Sequence, residues 1–370
     1  MSVAQSAQTA PPTRGVFGHP PGLTVLFLTQ TWAEFSYFGL QAMLVLYMTQ
    51  QLGLAQAQSS IVYGLYTGCA FFSPFIGGII ADRWLGRTTS VLIGGSLMML
   101  GHFAMAFESL LFPALALVAI GNGLFIPPLA VQVGALYREG DPRRDQAFSA
   151  YYMGINLGAF TAIILCPLLA QLFGWHWGFA AAGFGMALGL VLYLGFKKHL
   201  PPEPRRAMAE RTRRAPPLSA ADWKALRTLL GVIAVVILFR IAYEQSGNTI
   251  TLWLNDRTER TLGAWEIPAP WFTSLNPLLI ITLTPFLMAF WRRRKEAGKE
   301  QNLFRRMALG SALAGVACLV MVAAAFAYSA GGAQVSALWV IAYFVLLTCG
   351  ELLVLPVGLA LFGTLSPLQV

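Results

Sequence analysis

Apolar runs of about 20 residues or more recur ten times along the chain, separated by short polar breaks. They fall near residues 24–50, 59–81, 88–106, 110–136, 146–171, 176–196, 226–254, 270–291, 304–327 and 336–362. Each is long enough to cross the roughly 30 Å hydrocarbon core of a bilayer as an α-helix, which satisfies its own backbone there. The pattern predicts an all-α membrane protein. The longest polar break, Lys197 to Trp223, is rich in Arg and Pro and reads as a solvated linker between two helix bundles. The expected organisation is a tail over 1–23, a six-helix bundle over 24–196, the linker over 197–223 and four helices over 224–370. This suggests a six-plus-six arrangement two helices short at its C-terminal end.

Composition agrees with that class. Of 370 residues, 56% are hydrophobic and only 11% charged, with mean hydropathy +0.63, whereas a soluble domain has about 25% charged residues. The net charge of +9 would fit a nucleic-acid partner if it were spread over one surface, but it is not. Of 25 Lys and Arg, 21 cluster at Arg83 and Arg87, at Arg138 to Arg144, at Lys197 to Arg227 and at Arg292 to Arg306. The alternate loops near Gln51, Glu108, Gly174 and Gly331 have none, and the loop after residue 255 has only Arg257 and Arg260. Basic loops stay on the cytoplasmic side, so the charge reports topology. The expectation is a multi-pass protein of the cell (inner) membrane with a cytoplasmic N-terminus and no nucleic-acid partner. Cys69, Cys166, Cys318 and Cys349 lie scattered in apolar runs and read as core residues. No cleavable signal is evident. His19, His102, His176 and His199 are far apart, and no nucleophile elbow, metal motif or phosphate loop is present, so neither an enzyme nor a metal site is expected.

Polar residues inside the apolar runs carry the chemistry. An ionisable side chain at hydrocarbon depth costs roughly 2.5 kcal/mol or more, so it faces protein or water and marks a functional site. Four such residues stand outside the loops: Glu34, Arg240, Glu244 and Glu351. In the first segment Gln30 and Glu34 are one turn apart and Gln41 two turns further, which places all three on one side of the rod. Arg240 and Glu244 have the spacing of a helical ion pair. That pair either neutralises itself and fixes the seventh helix, or holds a carboxylate whose proton affinity responds to substrate. Asn156 and Asn276 are either helix-to-helix glue or ligand groups; with Glu351, their amide oxygens would suit an ammonium group.

The loop Gly77 to Arg87, GGIIADRWLGR, resembles the signature loop of the major facilitator superfamily, and Asp82, Arg83 and Arg87 would form its cytoplasmic gating cluster and cap helix ends. A closer resemblance runs from residue 17 to 367: FGHPPGL, FSYFG, GNGLF, YYMGINLGAF, EQSG, SLNPLLI and GELLVLPVGLALFGTLSP are similar to motifs of the proton-dependent oligopeptide transporter family. The resemblance implies a secondary transporter of di- and tripeptides or peptide-like amines, working by alternating access, with the proton gradient as energy source and no cofactor. It places Glu351, Asn156, Asn276, Gln41 and Tyr37 around the substrate, and Glu244, Arg240 and Glu34 in proton coupling and salt-bridge switching. Departures are concentrated at the positive pole. The family's first-helix E-x-x-E-R appears as Gln30, Ala33 and Glu34, the arginine that follows is Gln41, the fourth-helix lysine is Ile126, and a second-helix tyrosine is Phe71. Three carboxylates against one guanidinium would favour a cationic or amine-bearing ligand, and a non-peptide amine transporter or a binding protein without transport are the other readings. The oligomeric state has no signature in the sequence.

Overall fold

The computed structural model describes residues 18–138, 141, 143–203, 220–299, 302–331 and 334–365. Most of the expected N-terminal tail, the middle of the linker at 204–219 and residues 366–370 lie outside the described residues.

Each apolar run is helical. The helices are α1 Pro21–Leu46, α2 Gln56–Ile80, α3 Arg87–Ala104, α4 Leu111–Ala135, α5 Arg143–Phe173 and α6 Trp175–Gly195. They continue with α7 Ala220–Glu244, α8 Thr249–Arg257, α9 Leu275–Glu296, α10 Leu303–Gly331 and α11 Leu338–Leu365. Pro21 starts α1 where its fixed φ suits a helix and no N–H is needed. Among the described residues, eight helices are long and apolar enough to cross a membrane. α7 and the nine-residue α8 count there as one span, Ala225–Arg257, and α1 and α3 are not in that set: α1 gives one face to Gln30, Glu34 and Gln41, and α3 spans 18 residues with Ser90, Ser96 and His102 among them. The expected seventh helix is broken. A tight turn at Gln245–Gly247 separates α7 from α8, and a Cβ at Gly247 would stand 1.9 Å from the Tyr63 hydroxyl oxygen of α2. Glycine lets the turn lie flat against the first bundle there.

The first six helices pack around α1, which lies against α5 and α6, while α3 and α2 flank α4. Close backbone approach, besides one buried hydrogen bond from Tyr151 to Gln30, fixes the α1–α5 seam. A Cβ on Gly158 would sit 2.2 Å from the Thr31 carbonyl oxygen, and Gly154 four residues earlier faces Phe27 and Thr31. α10 and α11 meet in the same way, the Gly310 and Gly350 carbonyl oxygens each lying 2.6 Å from where the other's Cβ would be.

Two expectations change. Cys69 is exposed on α2 rather than packed in a core. Asp82 and Arg83 stand exposed on a widened turn, Ala81–Leu85, that continues α2, and the cap at the start of α3 is supplied instead by the linker, where Glu203 Oε1 accepts the Thr88 N–H at 2.6 Å. A carboxylate suits that position because the first N–H groups of a helix have no partner of their own.

Candidate functional site

A cavity of about 380 Å³ lies between the two bundles, and all four intramembrane charged residues line it: Glu34 from α1, Arg240 and Glu244 from α7, and Glu351 from α11. Helical spacing brings Arg240 and Glu244 together, but only tertiary folding brings them to Glu34 and Glu351. The described lining therefore holds three carboxylates and one guanidinium.

Glu351 is 4% exposed, and its Oε2 accepts from Asn276 Nδ2 at 2.7 Å. Asn276 also donates to Thr348 Oγ1 at 3.0 Å, while its Oδ1 accepts from the Tyr243 hydroxyl at 2.9 Å. Both ends of that amide are engaged within the protein, so Asn276 orients Glu351 and has less to offer a ligand than its position suggested. Asn156 differs: its Nδ2 donates to the Tyr152 carbonyl of its own helix at 3.0 Å, which leaves Oδ1 as an acceptor in the lining.

Arg240 Nη2 donates to Glu244 Oε1 at 2.5 Å. The guanidinium lies over the rings of Phe71 from α2 and Tyr243 from α7, each at 4.5 Å from the ring centre. Such contacts are worth about 0.5–2 kcal/mol each as desolvation increases. Glu244 reaches the other bundle through its second oxygen, which accepts from Gln41 Nε2 at 3.5 Å. On α1, Gln30 Nε2 donates to Glu34 Oε1 at 2.6 Å, and the Tyr151 hydroxyl of α5 donates to Gln30 Oε1 at 2.6 Å. Gln30 is thus held from both ends, and Glu34 has neutral company. Tyr37 lines the cavity and stacks on Tyr66, with ring centres 6.3 Å apart. Glu34, Gln41, Ile126 and Phe71 all line the same cavity, so these four departures from the family pattern are substitutions in its wall, whereas Gln30 and Ala33 are not among the lining residues.

Asp82, Arg83 and Arg87 do not line the cavity. Asn122, Tyr63, Tyr152 and Tyr243 do, and sequence reasoning did not select them. Asn122, which donates to the Ala70 carbonyl at 3.1 Å, had a usable signal as a lone amide in an apolar helix. The tyrosines had none, being indistinguishable from membrane aromatics.

One end of the cavity is bridged by hydrogen bonds between the bundles. Besides Gln41 to Glu244, hydrogen bonds cross between bundles from Ser60 to Asn248 at 3.1 Å, from Gln171 to the Glu266 carbonyl at 3.0 Å and from the Trp271 indole to the Ile164 carbonyl at 2.9 Å. These lie towards the side of the non-basic loops near 51 and 174. There Arg260 ties its segment together, donating to the carbonyls of Leu254, Asn255 and Ile267 and pairing with Glu266 at 2.7 Å.

A charged, part-buried cavity between two helix bundles tied together at one end has the arrangement of a secondary transporter. The chain matches the model of the Major Facilitator Superfamily over residues 26–369. It is 31% identical to a peptide transporter of Yersinia enterocolitica over 98% of this chain and 85% of the relative. To a di-/tripeptide transporter of Lactococcus lactis it is 29% identical, over 95% of this chain and 84% of that one. Among solved structures it is similar to a peptide transporter in complex with sulfate, at 29% identity and TM-score 0.86, over 96% of this chain and 85% of that one. It is similar also to a family transporter in complex with 5-aminolevulinic acid, at 26% identity and TM-score 0.87, over 96% and 86% of the two chains. The chain belongs to the Major Facilitator Superfamily and, within it, to the proton-dependent oligopeptide transporter family.

Proposed function

We propose that this protein carries di- and tripeptides or peptide-like amines across the cell (inner) membrane by alternating access, using the proton gradient and no bound cofactor. The observation that carries the substrate reading is Glu351, fixed by Asn276 in the cavity wall with the Asn156 oxygen in the same lining. A carboxylate with a neighbouring amide acceptor receives the ammonium group of a peptide. The relatives are peptide transporters and do not favour a non-peptide cation or a binding protein without transport.

With the basic loops in the cytoplasm, the N-terminus is cytoplasmic and the bridged end faces outward, so the cavity opens inward. Exposed Phe72, Phe75, Phe286 and Phe326 give the outer surface an apolar character suited to lipid. Glu244 and Glu34 are the carboxylates for proton coupling. Glu244 touches both the guanidinium of α7 and Gln41 of the opposite bundle, so separating the bundles changes its partners.

Uptake into proteoliposomes tests the substrate reading. Labelled dialanine should accumulate when the inside is alkaline, and Glu351→Gln should lower uptake roughly 10- to 100-fold, the loss expected for one charge-assisted hydrogen bond of about 1.5–3 kcal/mol. Unchanged uptake in that variant would remove Glu351 from the substrate site.

A further inference from the structure

We propose that Arg240 is the specificity-determining residue for the substrate's carboxylate, so that the positive pole of this cavity stands on α7 of the second bundle. The inference rests on the transport reading above. The positions where the family resemblance expects cations hold Glu34, Gln41 and Ile126, one carboxylate and two neutral side chains, and all three line the cavity. Every other ionisable acid or base in the described lining is a carboxylate or a tyrosine. A ligand carboxylate placed near Glu34 or Glu351 would be repelled, and one placed on apolar wall would be a buried anion without a partner. Arg240 is the one cation in the described lining, where a ligand carboxylate would share the guanidinium with Glu244.

Its geometry leaves it available. A guanidinium offers five N–H donors in one plane, and a single hydrogen bond, from Nη2 to Glu244, engages it among the described residues. The Phe71 and Tyr243 rings lie against the group at 4.5 Å, and 27% of the side chain is exposed. Aromatic contact fixes the plane, so a new partner must approach along the unused edge. A carboxylate meets such an edge with two parallel hydrogen bonds. Phe71 gives this a second consequence: a tyrosine there would add a hydroxyl, whereas phenylalanine offers only a ring face. Arg240 and Glu351 stand on α7 and α11, and Tyr243 connects them, its ring under Arg240 and its hydroxyl on the Asn276 that holds Glu351. A zwitterionic peptide would then find both of its poles on the second bundle.

The test compares dialanine with its C-terminal amide, which keeps the ammonium and lacks the carboxylate. Binding is read by thermal shift on purified protein and transport by competition in proteoliposome counterflow. The wild-type chain is expected to prefer the acid by at least tenfold, Arg240→Gln to lose that preference, and Arg240→Lys to recover part of it. Since removing the guanidinium leaves Glu244 unpaired, the double variant Arg240→Gln, Glu244→Gln is measured alongside and should also show no preference. Acid preference retained in both glutamine variants, or equal handling of acid and amide by the wild type, would overturn the role of Arg240 and leave peptide transport standing. If the wild type neither binds nor carries either compound, the transport reading falls and takes this inference with it.

Discussion

Asp141, in the loop before α5, and Arg143, the first residue of that helix, show what a charge pair does outside the hydrocarbon. Asp141 Oδ1 accepts the Arg143 backbone N–H at 2.9 Å, and Oδ2 pairs with the guanidinium at 2.8 Å. The Arg143 side chain, helped by that N–H, holds the carboxyl down at about 2. A group whose folded value is depressed stabilises the fold above its unfolded value, about 3.9, and loses that contribution as pH falls through about 2. The pair is therefore constant over pH 5–8. Asp141→Asn should leave the pH profile of peptide uptake unmoved across that range, and a displaced profile would show that this loop takes part in coupling. The contrast with the cavity shows what single residues disclosed in advance. Glu34, Arg240, Glu244 and Glu351 stood out because each is improbable in an apolar run. The engagement of both ends of Asn276, and the ring of Phe71 under Arg240, depend on side chains from elements far apart in sequence.

At the scale of elements, apolar length located the helices, but the packing of their seams was legible only in part. GINLG in the fifth segment has glycines four residues apart, a spacing suited to close approach, yet nothing in it says that α1 is the partner. Since the Cβ of any larger residue at 158 would lie 2.2 Å from backbone oxygen, the helix itself must shift to admit it. Gly158→Ala should cost about 1–3 kcal/mol and Gly158→Val more, seen as a lower melting temperature in detergent. Gly64→Ala on α2, with nothing within 4 Å of its Cβ, is the control and should melt like the parent chain. Equal melting of both alanine variants would mean that α1 and α5 tolerate separation. The break between α7 and α8 was hidden for a related reason. Residues 226–254 are apolar enough for one continuous helix, and the turn at Gln245–Gly247 brings Gly247 against Tyr63 across the bundle interface, a contact no local pattern shows.

For the whole molecule, the state of the cavity is a property of two bundles that no local pattern encodes, since open and closed forms share one sequence. What can be read is which contacts must break. Hydrogen bonding at the non-basic end joins Ser60 of α2 to Asn248 at the start of α8, beside the Tyr63 and Gly247 contact. Exchange of sides by rocking requires these residues to separate while each bundle keeps its own packing. A covalent bridge between them should therefore stop transport without emptying the site. In the double variant Ser60→Cys, Asn248→Cys, oxidation or a short bis-maleimide should abolish counterflow, and reduction of the disulfide form should restore it. Dialanine should still shift the melting temperature of the bridged protein, because Glu351 and Arg240 both stand on the second bundle and neither takes part in the Ser60–Asn248 bond. Each single cysteine variant, treated identically, accounts for any reaction at Cys69, which is exposed on α2. Counterflow that survives verified cross-linking would show that the Ser60 and Asn248 ends stay together through the cycle, and the moving contact would then be sought at Trp271 and Gln171.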